Sequence, residues 1–143
     1  MKKNKQNYFL YIFLYILPAS IFANTTVQPA VATAHHIATR TGLEILEKGG
    51  NAFDAAAAIT ASLAVVEPYG SGLGGGGFWL LHRSGDNKQV VLDGRETAPM
   101  RSHKDMYLDR NGNIIDGLSL NGPMASGIPG IIAGIDHLVT HYG

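Results

Sequence analysis

Val66-Glu67-Pro68-Tyr69-Gly70-Ser71-Gly72-Leu73-Gly74-Gly75-Gly76-Gly77-Phe78-Trp79 carries six glycines in the eight residues 70–77. Within it Gly72, Gly74 and Gly77 satisfy G-x-G-x-x-G, and Asp93 or Glu96 follows at roughly the 20-residue distance of a dinucleotide fingerprint. A true fingerprint leaves a strand and opens a helix whose first N–H groups take the pyrophosphate. Here the context is reversed. The stretch leaves an apolar helical pattern, stopped by Glu67-Pro68, and enters a β-prone run from Phe78 to Arg83. That order argues against nucleotide binding, and no Gly-Lys-Ser/Thr is present for a Walker-type phosphate loop. The glycines instead let backbone pass close to something else. A neighbouring strand and a bound ligand are equal readings, because glycine permissiveness serves both.

Working outward, Ala55 to Val66 is apolar nearly all round, which predicts a helix buried between layers; at twelve residues it is too short to cross a bilayer at about 1.5 Å per residue. Asn51 and Asp54 supply groups able to cap its start. Before it, His35 to Lys48 places Ile37, Ala38, Ile45 and Leu46 on one helical face, with Glu44 and Glu47 outside and Gly49-Gly50 as a left-handed stop. Asn24 to Ala34 reads as an extended lead-in. After the glycines, Phe78–Arg83 and Gln89–Asp93 flank the polar turn Ser84 to Lys88 and predict a hairpin. A second hairpin is expected around Asn111-Gly112, between Met106-Tyr107-Leu108 and Ile114-Ile115. Pro129 to Tyr142 repeats Ile132, Ile135, Leu138 and Val139 at helical spacing, with Pro129 at a first helical position and Gly143 as a stop. Helix, helix, hairpin, hairpin, helix favours an α+β fold with antiparallel strands over βαβ units.

The chain has 143 residues, 18 of them glycine, and no cysteine, which removes disulfides, thiolate metal sites and cysteine nucleophiles. Eleven basic against eleven acidic residues argue against a nucleic-acid partner, which requires a basic surplus. The balance hides two parts. Lys2, Lys3 and Lys5, the apolar run Tyr8–Leu17, Pro18 and Ile21-Phe22-Ala23 read as a signal peptide over residues 1–23. The apolar run is short against the roughly 20 residues of a membrane span, so no stable anchor is expected after cleavage. The expected location is secreted, in a bacterial periplasm or outside the cell. Taking three lysines from eleven leaves residues 24–143 at a net charge of −3. No repeat of fixed period is visible, which excludes a solenoid.

Few residues suggest chemistry. His35-His36 are adjacent and read as surface histidines. His137 and His141 have i, i+4 spacing but lack the H-E-x-x-H glutamate, so no metal site is expected. Ser71, Ser119 and Ser126 have no recognisable base partner and no G-x-S-x-G elbow, so no residue is assigned as catalytic. Arg95 is different. Gly94 lets the chain turn at the end of a strand and projects Arg95 from a rigid element, and its planar fork fits a carboxylate bidentately. An internal pair with Asp93 or Glu96 is an equal reading.

These segments together resemble a known family. Leu43-Glu44-Ile45-Leu46, Gly49-Gly50-Asn51-Ala52-Phe53-Asp54-Ala55-Ala56, Val66-Glu67-Pro68 and Ser71 to Phe78 resemble the γ-glutamyltransferase (γ-glutamyltranspeptidase, glutathione hydrolase) family. Leu92-Asp93-Gly94-Arg95-Glu96-Thr97-Ala98-Pro99, Asp105-Met106, Gly112-Asn113 and Gly127-Ile128-Pro129-Gly130 continue the likeness in family order, from Val27 to Gly143. The resemblance implies an N-terminal-nucleophile hydrolase, an αββα sandwich that cuts itself into two subunits. In such an enzyme the N-terminal threonine of the small subunit attacks the γ-glutamyl amide of glutathione. No cofactor is expected. The resemblance also implies that Arg95 holds the α-carboxylate of the γ-glutamyl group, which favours the ligand reading of Arg95 as substrate-binding.

Family members run several times longer, and their threonine, oxyanion glycines and amine-holding groups lie in the part not matched. The expectation is therefore an incomplete portion of the sandwich: residues 24–143 form the N-terminal part of the large-subunit region, inactive alone. The missing C-terminal polypeptide is its expected partner, and glutathione and other γ-glutamyl compounds its expected ligands. The alternatives are a fragment of a related acylase acting on other amides and a non-catalytic secreted binding module.

Overall fold

The computed structural model describes residues 28–143; the proposed signal peptide lies outside them. After the lead-in come helix α1 (His36–Glu47), helix α2 (Ala52–Val66), strands β1 (Gly77–Arg83) and β2 (Lys88–Gly94), a 3-10 turn (Pro123–Ala125) and helix α3 (Ile131–Tyr142). The order agrees with the sequence reading of an α+β chain.

Local chemistry sets the helix ends. His35 stands extended before α1, and its Nδ1 accepts from the Ile37 N–H at 3.2 Å. At the other end Gly49, at φ 91°, and Gly50 donate back to Leu46 and Ile45, the paired bonds of a Schellman stop. Only one residue then separates the stop from α2. The Asn51 side chain accepts from the Phe53 and Asp54 N–H groups while Asp54 Oδ2 accepts from the Asn51 N–H, a complete capping box. α1 lies on α2 where Gly42 leaves room for Ile59, with Ala38 and Gly42 buried. Ile37, expected on that face, is exposed.

β1 and β2 pair antiparallel in the register Gly77↔Gly94 to Arg83↔Lys88, and Arg83 meets Asp86 across the turn at 2.5 Å. Alternation puts Trp79, Leu81, Val90 and Leu92 on the face toward the helices. There Leu81 joins Ala57 and Leu138 in the core, packed by Phe53, Ile135 and Tyr142. Asn51 Nδ2 donates to the Tyr142 carbonyl at 2.6 Å and ties the start of α2 to the end of α3. The opposite face carries Phe78, Leu80 and Val91, all exposed.

Four further expectations change. α2 is not buried on all sides: Ala55 and Ala57 are buried, whereas Val65 is 77% exposed. The apolar face of α3 is rotated, with Ile131, Gly134 and Leu138 buried and Ile132 and Val139 exposed, because a glycine marks its closest contact. Pro129 precedes the Gly130 cap and lies outside the helix. The second hairpin is a single bridge, Leu108↔Ile114. The Asp109 carboxylate closes that turn by accepting from the Asn111 and Asn113 N–H groups and from Asn113 Nδ2, which also lowers its pKa. Ile114 is 80% exposed, so no buried face extends the pairing.

Candidate functional site

Arg95 leaves β2 immediately after Gly94, which is buried. Its backbone is held firmly. The Arg95 N–H donates to Asp93 Oδ1 at 2.9 Å, and two residues on Thr97 exchanges both backbone bonds with Ile128, at 3.1 and 2.8 Å. The guanidinium, by contrast, takes no partner: among the described residues the one ion pair is Arg83–Asp86. The internal pair with Asp93 or Glu96 therefore does not form, and five donors of a permanent cation stay available for an anion.

Arg95 lines an open cavity of about 230 Å³ together with Asp93, Gly94, Gly130, Gly134 and His137. A larger hollow, about 480 Å³, lies over the glycine loop and is lined by Thr60, Leu63, Trp79, Glu96 and Ile131 among others, without Arg95. Size and chemistry therefore point to different places. The smaller cavity is the candidate site, since Arg95 is among the residues that line it.

The glycine loop supports this site through backbone. Gly75 O accepts from both the Gly130 and Ile131 N–H groups, at 3.1 and 3.2 Å. The first donors of α3 are thus bonded to protein, leaving that helix start unlike the phosphate seat of a nucleotide fold. Gly76 runs against Arg95 and Glu96, so a neighbouring segment is what part of the loop passes closely.

The other candidates stay apart from Arg95 or pair among themselves. His35 and His36 stack at 4.6 Å beside the start of α1. His137 and His141 stack at 4.1 Å, and among the described residues no three His, Asp or Glu side chains gather as a metal centre. His137 and Gly130 were not singled out from the sequence as neighbours of Arg95. Their nearness arises from the return of α3 past the end of β2, which no local pattern records.

Comparison with known proteins places most of the chain. The family model described as gamma-glutamyltranspeptidase matches residues 38–143. The glutathione hydrolase proenzyme of Pseudomonas sp. (strain A14) is 45% identical over 113 residues, covering 79% of this chain and 20% of that protein. The glutathione hydrolase proenzyme of Escherichia coli (strain K12) is 44% identical over 116 residues, covering 81% of this chain and again 20% of the relative. The chain thus spans about a fifth of the length of these curated relatives. Among solved structures, Helicobacter pylori gamma-glutamyltranspeptidase superposes with a TM-score of 0.76 at 43% identity, over 80% of this chain and 33% of that one. Gamma-glutamyltranspeptidase from Pseudomonas nitroreducens, complexed with L-DON, gives 0.76 at 42%, over 83% and 35%. The α+β arrangement is therefore a portion of the larger N-terminal-nucleophile hydrolase fold of those enzymes. With the family model matching residues 38–143, the curated relatives above 40% identity and the backbone course all in agreement, the chain belongs to the gamma-glutamyltranspeptidase family.

Proposed function

We propose that residues 24–143 are the N-terminal part of a γ-glutamyltransferase large-subunit region and supply the anchor for the γ-glutamyl donor. The observation that carries this reading is Arg95 itself, a residue at the end of a strand that lines a cavity and whose guanidinium is unpaired. Its fork receives the α-carboxylate of the γ-glutamyl group of glutathione or a similar compound through two parallel N–H···O bonds. The nucleophile is a threonine at the N-terminus of the small subunit, in the portion of the relatives beyond the matched stretch. Its hydroxyl oxygen bonds to the γ-carbonyl carbon as the amide C–N bond breaks, and the proton passes to the leaving amine. Water or an acceptor amine then resolves the ester. The exposed apolar faces of α2 and of the hairpin, with Val65, Phe78, Leu80 and Val91, suit packing against the rest of such a sandwich. Residues 1–23 direct export to a periplasm or to the exterior.

The chain alone is expected to release no chromophore from a chromogenic γ-glutamyl amide, since an arginine positions a donor without reacting with it. The decisive test extends the full chain, after Gly143, with the portion of the Escherichia coli proenzyme that follows the matched stretch. Arg95→Lys in this fusion keeps the charge and loses the fork. It is expected to raise KM for glutathione about tenfold, the value of one charge-assisted bond of roughly 1.5 kcal/mol. An unchanged KM would remove Arg95 from the site.

A further inference from the structure

Two glycines approach the Arg95 backbone from separate segments, and in both cases what they provide is space. An added Cβ at Gly76 would lie 2.7 Å from Arg95 Cα, 2.6 Å from the Glu96 nitrogen and 2.5 Å from Glu96 Oε2. At Gly130 it would fall inside the Gly94 carbonyl and lie 2.8 Å from Arg95 O. Neither glycine has a positive φ, so alanine suits the backbone conformation of both. The obstacle is main chain, which cannot swing aside as a side-chain tip can. Gly75 O joins the two segments by accepting from the Gly130 and Ile131 N–H groups. Contact with the loop on one side and with the start of α3 on the other thus fixes where the Arg95 backbone lies.

We propose that Gly76 and Gly130 are positioning residues for Arg95: by lacking a side chain they let the loop and the start of α3 close on its backbone and fix the origin of its guanidinium. This rests on the reading of Arg95 as the carboxylate anchor. A methyl group at either position must push the end of β2 away, and a bidentate contact is lost when its donors move by a fraction of an ångström. A displacement near 1 Å costs about a hundredfold; a partial shift at Gly76→Ala is expected to raise KM about tenfold.

The test uses the same fusion of the full chain. Gly76→Ala should raise KM for glutathione about tenfold with kcat within about twofold, and add less than about twofold in the Arg95→Lys background, because both changes remove one contact. Gly72→Ala, whose added methyl meets nothing within 4 Å, should leave both constants unchanged. Equal effects of Gly72→Ala and Gly76→Ala would overturn the proposal, as would an effect of Gly76→Ala that multiplies fully with Arg95→Lys. An unchanged KM in Arg95→Lys itself would instead sink the anchor reading. If Gly76→Ala does not fold, Gly130→Ala replaces it. Its methyl would meet the Gly94 carbonyl and sit 2.8 Å from Arg95 O, and a rise in KM of about tenfold, adding less than about twofold in the Arg95→Lys background, is expected; no rise overturns the proposal.

Discussion

Replacing Trp79 by alanine is expected to lower the unfolding free energy of the chain by about 3 kcal/mol, near the lower end for a large aromatic side chain removed from a core. The ring fits where two glycines leave a slot. A Cβ at Gly94 would lie 2.6 Å from Trp79 Cζ3, and one at Gly134 would overlap Cζ3 and Cη2. The walls are backbone from β2 and α3, which no side-chain movement can bring together, so the cavity stays open after truncation. The polar end adds less. Trp79 Nε1 donates to Thr60 Oγ1 at 3.3 Å, but the Thr60 hydroxyl keeps its own bond to the Ala56 carbonyl at 2.8 Å. Urea unfolding followed by far-ultraviolet circular dichroism measures the loss, since the substitution removes the sole tryptophan. A change below about 1 kcal/mol would show that the slot collapses.

Gly134→Ala tests the same contact from the other side and sets helix propensity against packing. In an isolated helix alanine is favoured over glycine by about 1 kcal/mol. In this fold the methyl would occupy the position of the Trp79 ring, and overpacking of that kind costs up to about 3 kcal/mol. Overpacking outweighs propensity, for a net loss of about 2 kcal/mol. In the Trp79→Ala background the clash disappears and the sign should reverse, with alanine at 134 stabilising by up to about 1 kcal/mol. The four unfolding curves of that double-mutant cycle decide the matter. Destabilisation by alanine in both backgrounds would place the cost elsewhere than the ring.

These contacts also show which features were legible beforehand. The Asn51/Asp54 capping box, the Gly49-Gly50 stop and the hairpin turn were readable because each is closed by bonds among residues a few positions apart. The faces of the helices were less so. On α3 the stripe of Ile132, Ile135, Leu138 and Val139 was half right: Leu138 and Ile135 face the core while Ile132 and Val139 are exposed, because a hydrophobic pattern gives no weight to glycine, and Gly134 is where another element comes nearest. The Asn111-Gly112 signal was real, but Asp109 captured the amides that a strand ladder would have used. Arg95 was found as a candidate from its chemistry; that it is unpaired, and that Gly130 and His137 lie beside it, required the fold.

By itself the sequence determined the family, the order and type of the main elements, and the arginine suited to a carboxylate, because these depend on local bonding and on motifs contiguous in the chain. The six glycines that open the molecule to two readings look alike in a string. Tertiary structure separated them: Gly72 and Gly74 meet nothing within 4 Å, whereas Gly76 lies against the backbone of Arg95 and Glu96. The difference depends on segments about 20 and 55 residues further along returning to the loop, and the space they leave at each glycine is a property of that meeting rather than of any residue in it.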